Sequence, residues 1–136
     1  MRWLFKEEPT HYSIDDLIKD GKTSWSGVRN NLALKYLRTV KKGDEIFYYH
    51  SGNERQIVGT MRALDDAYTL DHKDVASSKE ITVDVAPVEK FAHFVSLDSI
   101  KKDKAFKDFL LVKISRLSVM PVSDEQWNRL IFLSKN

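Results

Sequence analysis

A turn that runs straight into a helix constrains this chain more than any other stretch. Trp25-Ser26-Gly27-Val28-Arg29-Asn30-Asn31 leads directly into Leu32-Ala33-Leu34-Lys35-Tyr36-Leu37-Arg38. Asn30 or Asn31 suits the N-cap, since a short side-chain oxygen accepts from the free N–H groups of a first helical turn. Leu32, Ala33, Tyr36, Leu37 and Val40 recur at helical spacing and form the apolar stripe. Gly43 is the expected stop, with Arg38, Lys41 and Lys42 at the negative end of the helix. The helix reads as scaffold. The turn before it carries more stacking and hydrogen-bonding groups than a connector requires.

At 136 residues the chain has the length of one domain, residues 1–136, with a single core. No apolar run is long enough for a membrane helix, and Met1-Arg2-Trp3-Leu4-Phe5 meets Lys6-Glu7-Glu8 at once, which breaks a signal-peptide pattern. The chain contains no cysteine, which rules out disulfides and thiolate metal sites and suits a cytoplasmic or, in a eukaryote, nuclear protein rather than a secreted one. A net charge of +2 is far from the strongly basic footprint of a non-specific nucleic-acid coat. The charges are segregated. Arg29, Lys35, Arg38, Lys41 and Lys42 fall in a stretch with no acid, whereas Asp65, Asp66, Asp71, Asp74, Glu80 and Asp84 outnumber Lys73 and Lys79 further on. Two solvated faces of opposite sign account for this, as does a phosphate-facing patch beside the Trp25 turn.

Read in order, Met1 to Phe5 is a short strand, and Pro9 holds its predecessor extended. Ser13 with Asp16 at the third helical position predicts a capping box, and Ile14–Asp20 a helix closed by Gly21. Ile46 to His50 and Gln56 to Leu64 predict a hairpin around Ser51-Gly52-Asn53. Residues 65–79 read as loop, and Ile81, Val83 and Val85 alternate as in a half-buried strand. Ser96 caps a short helix over Leu97–Lys102, with a further turn within Lys104–Phe109. Arg116 to Met120 is a last strand, and Ser123, Gln126 and Trp127 mark a C-terminal helix. The pattern is α+β, a small closed or nearly closed barrel with flanking helices.

Five motifs then stand in one order: Trp3-Leu4-Phe5-Lys6-Glu7-Glu8-Pro9, Trp25-Ser26-Gly27-Val28-Arg29-Asn30, Gly43 to Ser51, Ile57-Val58-Gly59, and Arg116 to Val122. Together they resemble the EVE domain family across nearly the whole chain. The resemblance implies a PUA-like fold, a bent β-barrel of about five to six mixed strands with flanking helices, related to the YTH and SRA readers of modified bases. It implies binding of a modified base in DNA or RNA, without catalysis, cofactor, metal or membrane. The residues matching the family's pocket motifs are Trp3, Lys6, Trp25, Arg29, Asn30, Tyr49, His50 and Ser51. Two departures stand out. Ala67 to His72 replaces a Tyr-Pro-Asp-Pro-like run, and Glu80 stands where the family usually has a Trp.

A flipped base needs a flat apolar surface, edge-directed donors and acceptors, and a phosphate anchor. Trp25 or Trp3 supplies stacking, Asn30, His50 and Ser51 the base edge, with Tyr49 beside them, and Lys6, Arg29, Arg38 and Lys41 the phosphate contacts. Each has a plainer role: Trp3 in the core, Asn30 as a cap only, His50 as a structural histidine, Arg29 paired with Asp44 or Glu45. Tyr48 and Tyr49 face opposite ways on one strand, so at most one lines a pocket. Trp25, among Ser24, Ser26 and Gly27, is expected at the surface, where Trp25→Ala would leave thermal stability nearly unchanged. The Trp25–Asn31 stretch is expected beside His50-Ser51. An enzyme using His50 with Ser51, or a protein-interaction module using the acidic 64–84 stretch, are the rival readings.

Overall fold

The computed structural model describes residues Met1–Asn136. Seven strands form one mixed sheet: β1 (Arg2–Glu7), β2 (Thr23–Trp25), β3 (Glu45–His50), β4 (Gln56–Ala63), β5 (Tyr68–Thr69), β6 (Ile81–Ser96) and β7 (Val119–Pro121). Their spatial order is β2-β6-β4-β3-β1-β7, with β5 paired to β6. β1 runs parallel to β3, in a register that sets Lys6 opposite Tyr49, and every other pairing is antiparallel. Five helices flank the sheet: α1 (Ile14–Asp20), α2 (Asn31–Leu37), α3 (Leu97–Lys102), α4 (Leu110–Lys113) and α5 (Asp124–Leu133).

Local sequence chemistry accounts for most helix starts. Ser13 and Asp16 close one capping box and Ser123 and Gln126 another, while the Asn30 side chain accepts from Ala33 N at the start of α2. Ser96 caps α3, and a 3₁₀ turn follows at Lys104–Phe106. Helix α2 ends earlier than its apolar stripe suggests. Past Leu37 the chain is drawn off by Asp44, whose buried carboxylate accepts from Lys41 N at 2.9 Å, Trp3 Nε1 at 2.9 Å and Met1 N at 3.1 Å.

Two strands depart from the sequence pattern. Trp25, expected to open the turn, instead closes a strand, β2, in which Thr23–Trp25 pairs with Val83–Val85. β6 runs far beyond Ala86, because register shifts against β4 between Ile57 and Gly59, and between Thr60 and Met61, break the simple alternation while the pairing continues. The long β6 therefore serves both β2 and β4 and lets the sheet curl. Closure comes from side chains. Trp25, at one end of the strand order, packs on Phe5 of β1 at 5.5 Å and on Tyr48 of β3 at 5.2 Å between ring centroids. On the other face Phe47 stacks on Trp127 of α5 at 3.9 Å.

Gly59 is where α1 closes onto the sheet. A Cβ there would lie 2.2 Å from Glu89 O and 2.3 Å from Ile14 Cδ1. The backbone carbonyl cannot give way without breaking the β4–β6 ladder. Gly59→Ala should therefore destabilise by about 3 kcal/mol, the upper end of ordinary overpacking costs, read as a fall in the urea midpoint at unchanged m-value. Unchanged stability would mean that α1 is not seated as described.

Candidate nucleic-acid interface

Residues 26–30 link β2 to α2 across a left-handed Gly27 at φ 76°, a conformation that costs glycine nothing and any β-branched residue a great deal. The turn is flanked by two clefts. One, of about 240 Å³, is lined by Glu7, Tyr12, Thr23, Ser24, Trp25 and Ser26. The other, of about 350 Å³, is lined by Gly27, Val28, Arg29, Leu34, Lys79 and Glu80.

The Trp25 cleft is built over an aromatic row. Phe5, Trp25, Tyr48 and His50 follow each other at centroid spacings of 5.5, 5.2 and 5.3 Å. Strand pleating puts Phe5 and Glu7 on one face of β1, and Tyr48 and His50 on the same face of β3, so Glu7 arrives beside Trp25. The Tyr48 hydroxyl donates to Tyr12 O, and burial drives its pKa far above the ordinary phenol value. The Tyr12 hydroxyl donates to Asp20 at 2.7 Å; its pKa is raised by burial and by that carboxylate. Both phenols are thereby held as neutral walls.

The wall opposite the turn is fixed from α2. The Arg38 guanidinium donates to Val75 O at 3.0 Å and to Ser78 O at 2.7 Å. Ser78 is wholly buried; its hydroxyl donates to Asp71 and accepts from Glu80 N at 2.9 Å. Lys79 and Glu80 are thus presented at the cleft from a clamped backbone, and neither side chain has an ion-pair or hydrogen-bond partner within the protein. Nor does Arg29, so the expected pairing with Asp44 or Glu45 is not made.

The residues singled out in the sequence divide accordingly. Trp25 and Arg29 line the two clefts. Asn30 lies between Arg29 and α2, its Oδ1 spent on the cap and its amide N–H groups unpartnered. Ser51 is half-buried at the end of β3, and its N–H donates to Glu7 O. His50 is brought to the Trp25 row as expected, but as a buried structural residue. Its Nε2 accepts from Ile14 N at 3.0 Å, which leaves Nδ1 to carry the proton and donate to Glu54 at 3.0 Å. That bond holds the Glu54 carboxyl below the usual range.

Five of the expected site residues lie away from the two clefts. Trp3 is 1% exposed, with Nε1–H donated to Asp44 and its ring against Tyr36, so it belongs to the core. Tyr49 occupies the opposite face of β3 from Tyr48, buried beneath the Lys6 ammonium at 5.4 Å, and burial pushes its pKa up to about 12. Lys6 shares that face and donates to Ser115 O at 2.9 Å, remote from both clefts by strand parity. Arg38 is committed to the 75–78 backbone, while Lys41 is exposed and lines neither cleft, its Nζ 3.9 Å from Asp66. Glu7, Tyr12 and Lys79 escaped the sequence reading. Glu7 appeared only inside the first motif, Tyr12 carried no site signal, and Lys79 read as loop.

A curled mixed sheet with ligand-sized clefts around a strand-to-helix turn defines a PUA-like domain. The chain belongs to the EVE domain family, which it matches over residues 1–133. It is 35% identical to rat thymocyte nuclear protein 1 over 98% of this chain and 73% of that protein. Among solved structures it resembles a Pseudomonas syringae protein at a TM-score of 0.88, with 35% identity over 98% of this chain and 99% of the other. It also resembles the human THYN1 protein crystallised with 5-methylcytosine-containing DNA, at a TM-score of 0.87 and 29% identity over 99% of this chain and 98% of that one. No helix is long and apolar enough to cross a membrane, and no group of three or more histidine, aspartate or glutamate side chains is placed to hold a metal ion.

Two outcomes follow from this geometry. Trp25 is 6% exposed, so Trp25→Ala should cost about 3–5 kcal/mol of stability, contrary to its surface-like sequence setting. A thermal melt showing no loss would remove Trp25 from the closure of the sheet. Burial lowers the Lys6 pKa to about 8 from an unfolded value of 10.5. The unfolded chain therefore binds more protons between those values, and the penalty on the buried charge, fully present below pH 8, is relieved as pH rises towards 10.5. The melting temperature of Lys6→Met relative to the parent protein should fall across that window. A difference independent of pH would show that Lys6 keeps an ordinary pKa.

Proposed function

We propose that this domain binds nucleic acid without catalysing a reaction on it, holding one base, in particular a modified one, at the Trp25 cleft and the adjoining phosphates at Arg29 and Lys79. The observation that carries this reading is the pairing of two unlike clefts across residues 25–29. One has an aromatic floor and a carboxylate, the other two unpartnered cations against one acid. A nucleotide has the same division, a flat hydrogen-bonding base and an anionic backbone. The relative crystallised with 5-methylcytosine-containing DNA has the same fold over nearly the whole chain, which supports the reading. DNA or RNA is then the partner, and a cytoplasmic or nuclear setting fits it.

The enzyme reading loses its base. His50 has both ring nitrogens engaged, so it is not free to act as a base for Ser51. In the acidic stretch Asp84 accepts from Ser24 and Tyr68, Asp71 from Ser78 and Asp66 from Lys42 N, while Asp65, Asp74 and Glu80 are exposed.

The test is a fluorescence-anisotropy titration with single-stranded oligonucleotides that differ in one central base, cytosine against 5-methylcytosine and other modified bases. At least one modified strand should bind more tightly than its unmodified counterpart. Log affinity should fall linearly with log salt, and Arg29→Ala should reduce that slope by about 0.7, the value for one phosphate on a single strand. Affinity insensitive to salt, or to Arg29→Ala, would overturn the phosphate assignment. Indifference to every modification would overturn the modified-base reading.

A further inference from the structure

The polar inventory of the Trp25 cleft is specific enough to name the kind of base edge it takes. Glu7 enters with one oxygen already used: Oε1 accepts from Glu8 N at 2.9 Å and lies 3.7 Å from His11 Nδ1. Its other oxygen has no partner in the protein. The Tyr12 hydroxyl proton is committed to Asp20, and the Ser24 hydroxyl donates to Asp84 at 2.7 Å. Trp25 Nε1–H also lacks a partner. Thr82 Oγ1 is the only sealed side-chain polar atom left unpaired, so the Trp25 N–H reaches solvent, and Trp25 lines this cleft. Besides the Thr23 and Ser26 hydroxyls, which can rotate either to donate or to accept, the cleft lining therefore offers one charged acceptor and one donor of fixed sense.

We infer that Glu7 and Trp25 Nε1–H together select a base that presents an exocyclic amino group next to an unprotonated ring nitrogen, the edge shared by cytosine, 5-substituted cytosines and adenine. The amino group donates to the free Glu7 oxygen, and the ring nitrogen accepts from the indole. Carboxylates accept from cytosine N4 in base recognition generally. Thymine presents the same two functions in reverse order, a carbonyl where the amino group would be and a ring N–H where the lone pair would be. With the sugar entering from the same side, thymine sets a carbonyl against a carboxylate, and a buried mismatch of that kind is strongly rejected. Glu7 is thus a specificity-determining residue, an assignment that rests on base binding at this cleft as proposed above.

The comparison of 5-methylcytosine with thymine isolates the effect, because both carry the same methyl group. Two single-stranded oligonucleotides differing only in that central base are titrated against the parent protein and against Glu7→Gln. Gln keeps the oxygen that accepts from Glu8 N and places an amide donor where the free carboxylate oxygen was. The parent should bind the 5-methylcytosine strand roughly tenfold or more tightly than the thymine strand. In Glu7→Gln that ratio should fall to about one or invert, with the melting temperature and the salt slope unchanged. Equal affinity of the parent for both strands, with the Arg29-dependent salt slope intact, would overturn the Glu7 assignment alone. So would a ratio that survives Glu7→Gln. Absence of salt-dependent binding to either strand would overturn the nucleic-acid reading, and this assignment with it.

Discussion

The packing of Trp25 against Phe5 and Tyr48 is the contact on which the rest of the architecture depends. β2 is hydrogen-bonded only to β6, whereas β1 and β3 lie beyond β4 in the strand order. No backbone ladder joins the two ends, so an indole bridges what hydrogen bonds leave open. Curling the sheet leaves a seam at its rim, and the same ring that fills the seam forms the floor of a cleft. Scaffold and recognition surface are therefore one side chain. This explains why so small a domain presents a concave site without a long loop to build it.

The second cleft shows a division of labour by rigidity. Arg38 spends its donors on two carbonyls, Ser78 is sealed beneath them, and Lys79 and Glu80 emerge from that clamped backbone. On the facing side the Asn30 cap fixes where α2 begins and so where Arg29 stands. Charged side chains that pair with nothing in the protein are mounted on main chain that is tightly tied. Such preorganisation lowers the ordering cost when an anion arrives.

Much of the fold was legible because its signals are local. Capping boxes at Ser13 and Ser123, the Asn30 cap, the hairpin after β3 and the five ordered motifs each lie within a few residues of sequence. The site was only half legible. Ser24, Ser26 and Gly27 surround Trp25 with surface-like residues, and nothing local reveals that its packing partners lie 20 residues before it and 23 after it. Tyr49 and Lys6 carry suitable chemistry on the faces of β3 and β1 turned away from the cleft, while Trp3 shares the face of Phe5 and Glu7 but sits at the far end of β1 with its N–H given to Asp44, a partner 41 residues on. His50 was a candidate by type and by its place in the Gly43–Ser51 motif; the amide it accepts from belongs to another element.

The position of β1 has a consequence for how the chain is made. β1 is an interior strand, flanked by β3 on one side and β7 on the other, and Arg2 reaches Asp124 at 2.8 Å. The first strand of the domain to be made thus gains its second neighbour only when nearly all of the domain has been synthesised. Until then its far edge offers open N–H and C=O groups to any extended chain nearby. Parallel pairing and contacts of such long sequence separation are also slow to form. Translation order therefore leaves the nascent domain with an exposed sheet edge, and the brevity of β7, only three residues, keeps the gap to be closed at the end short.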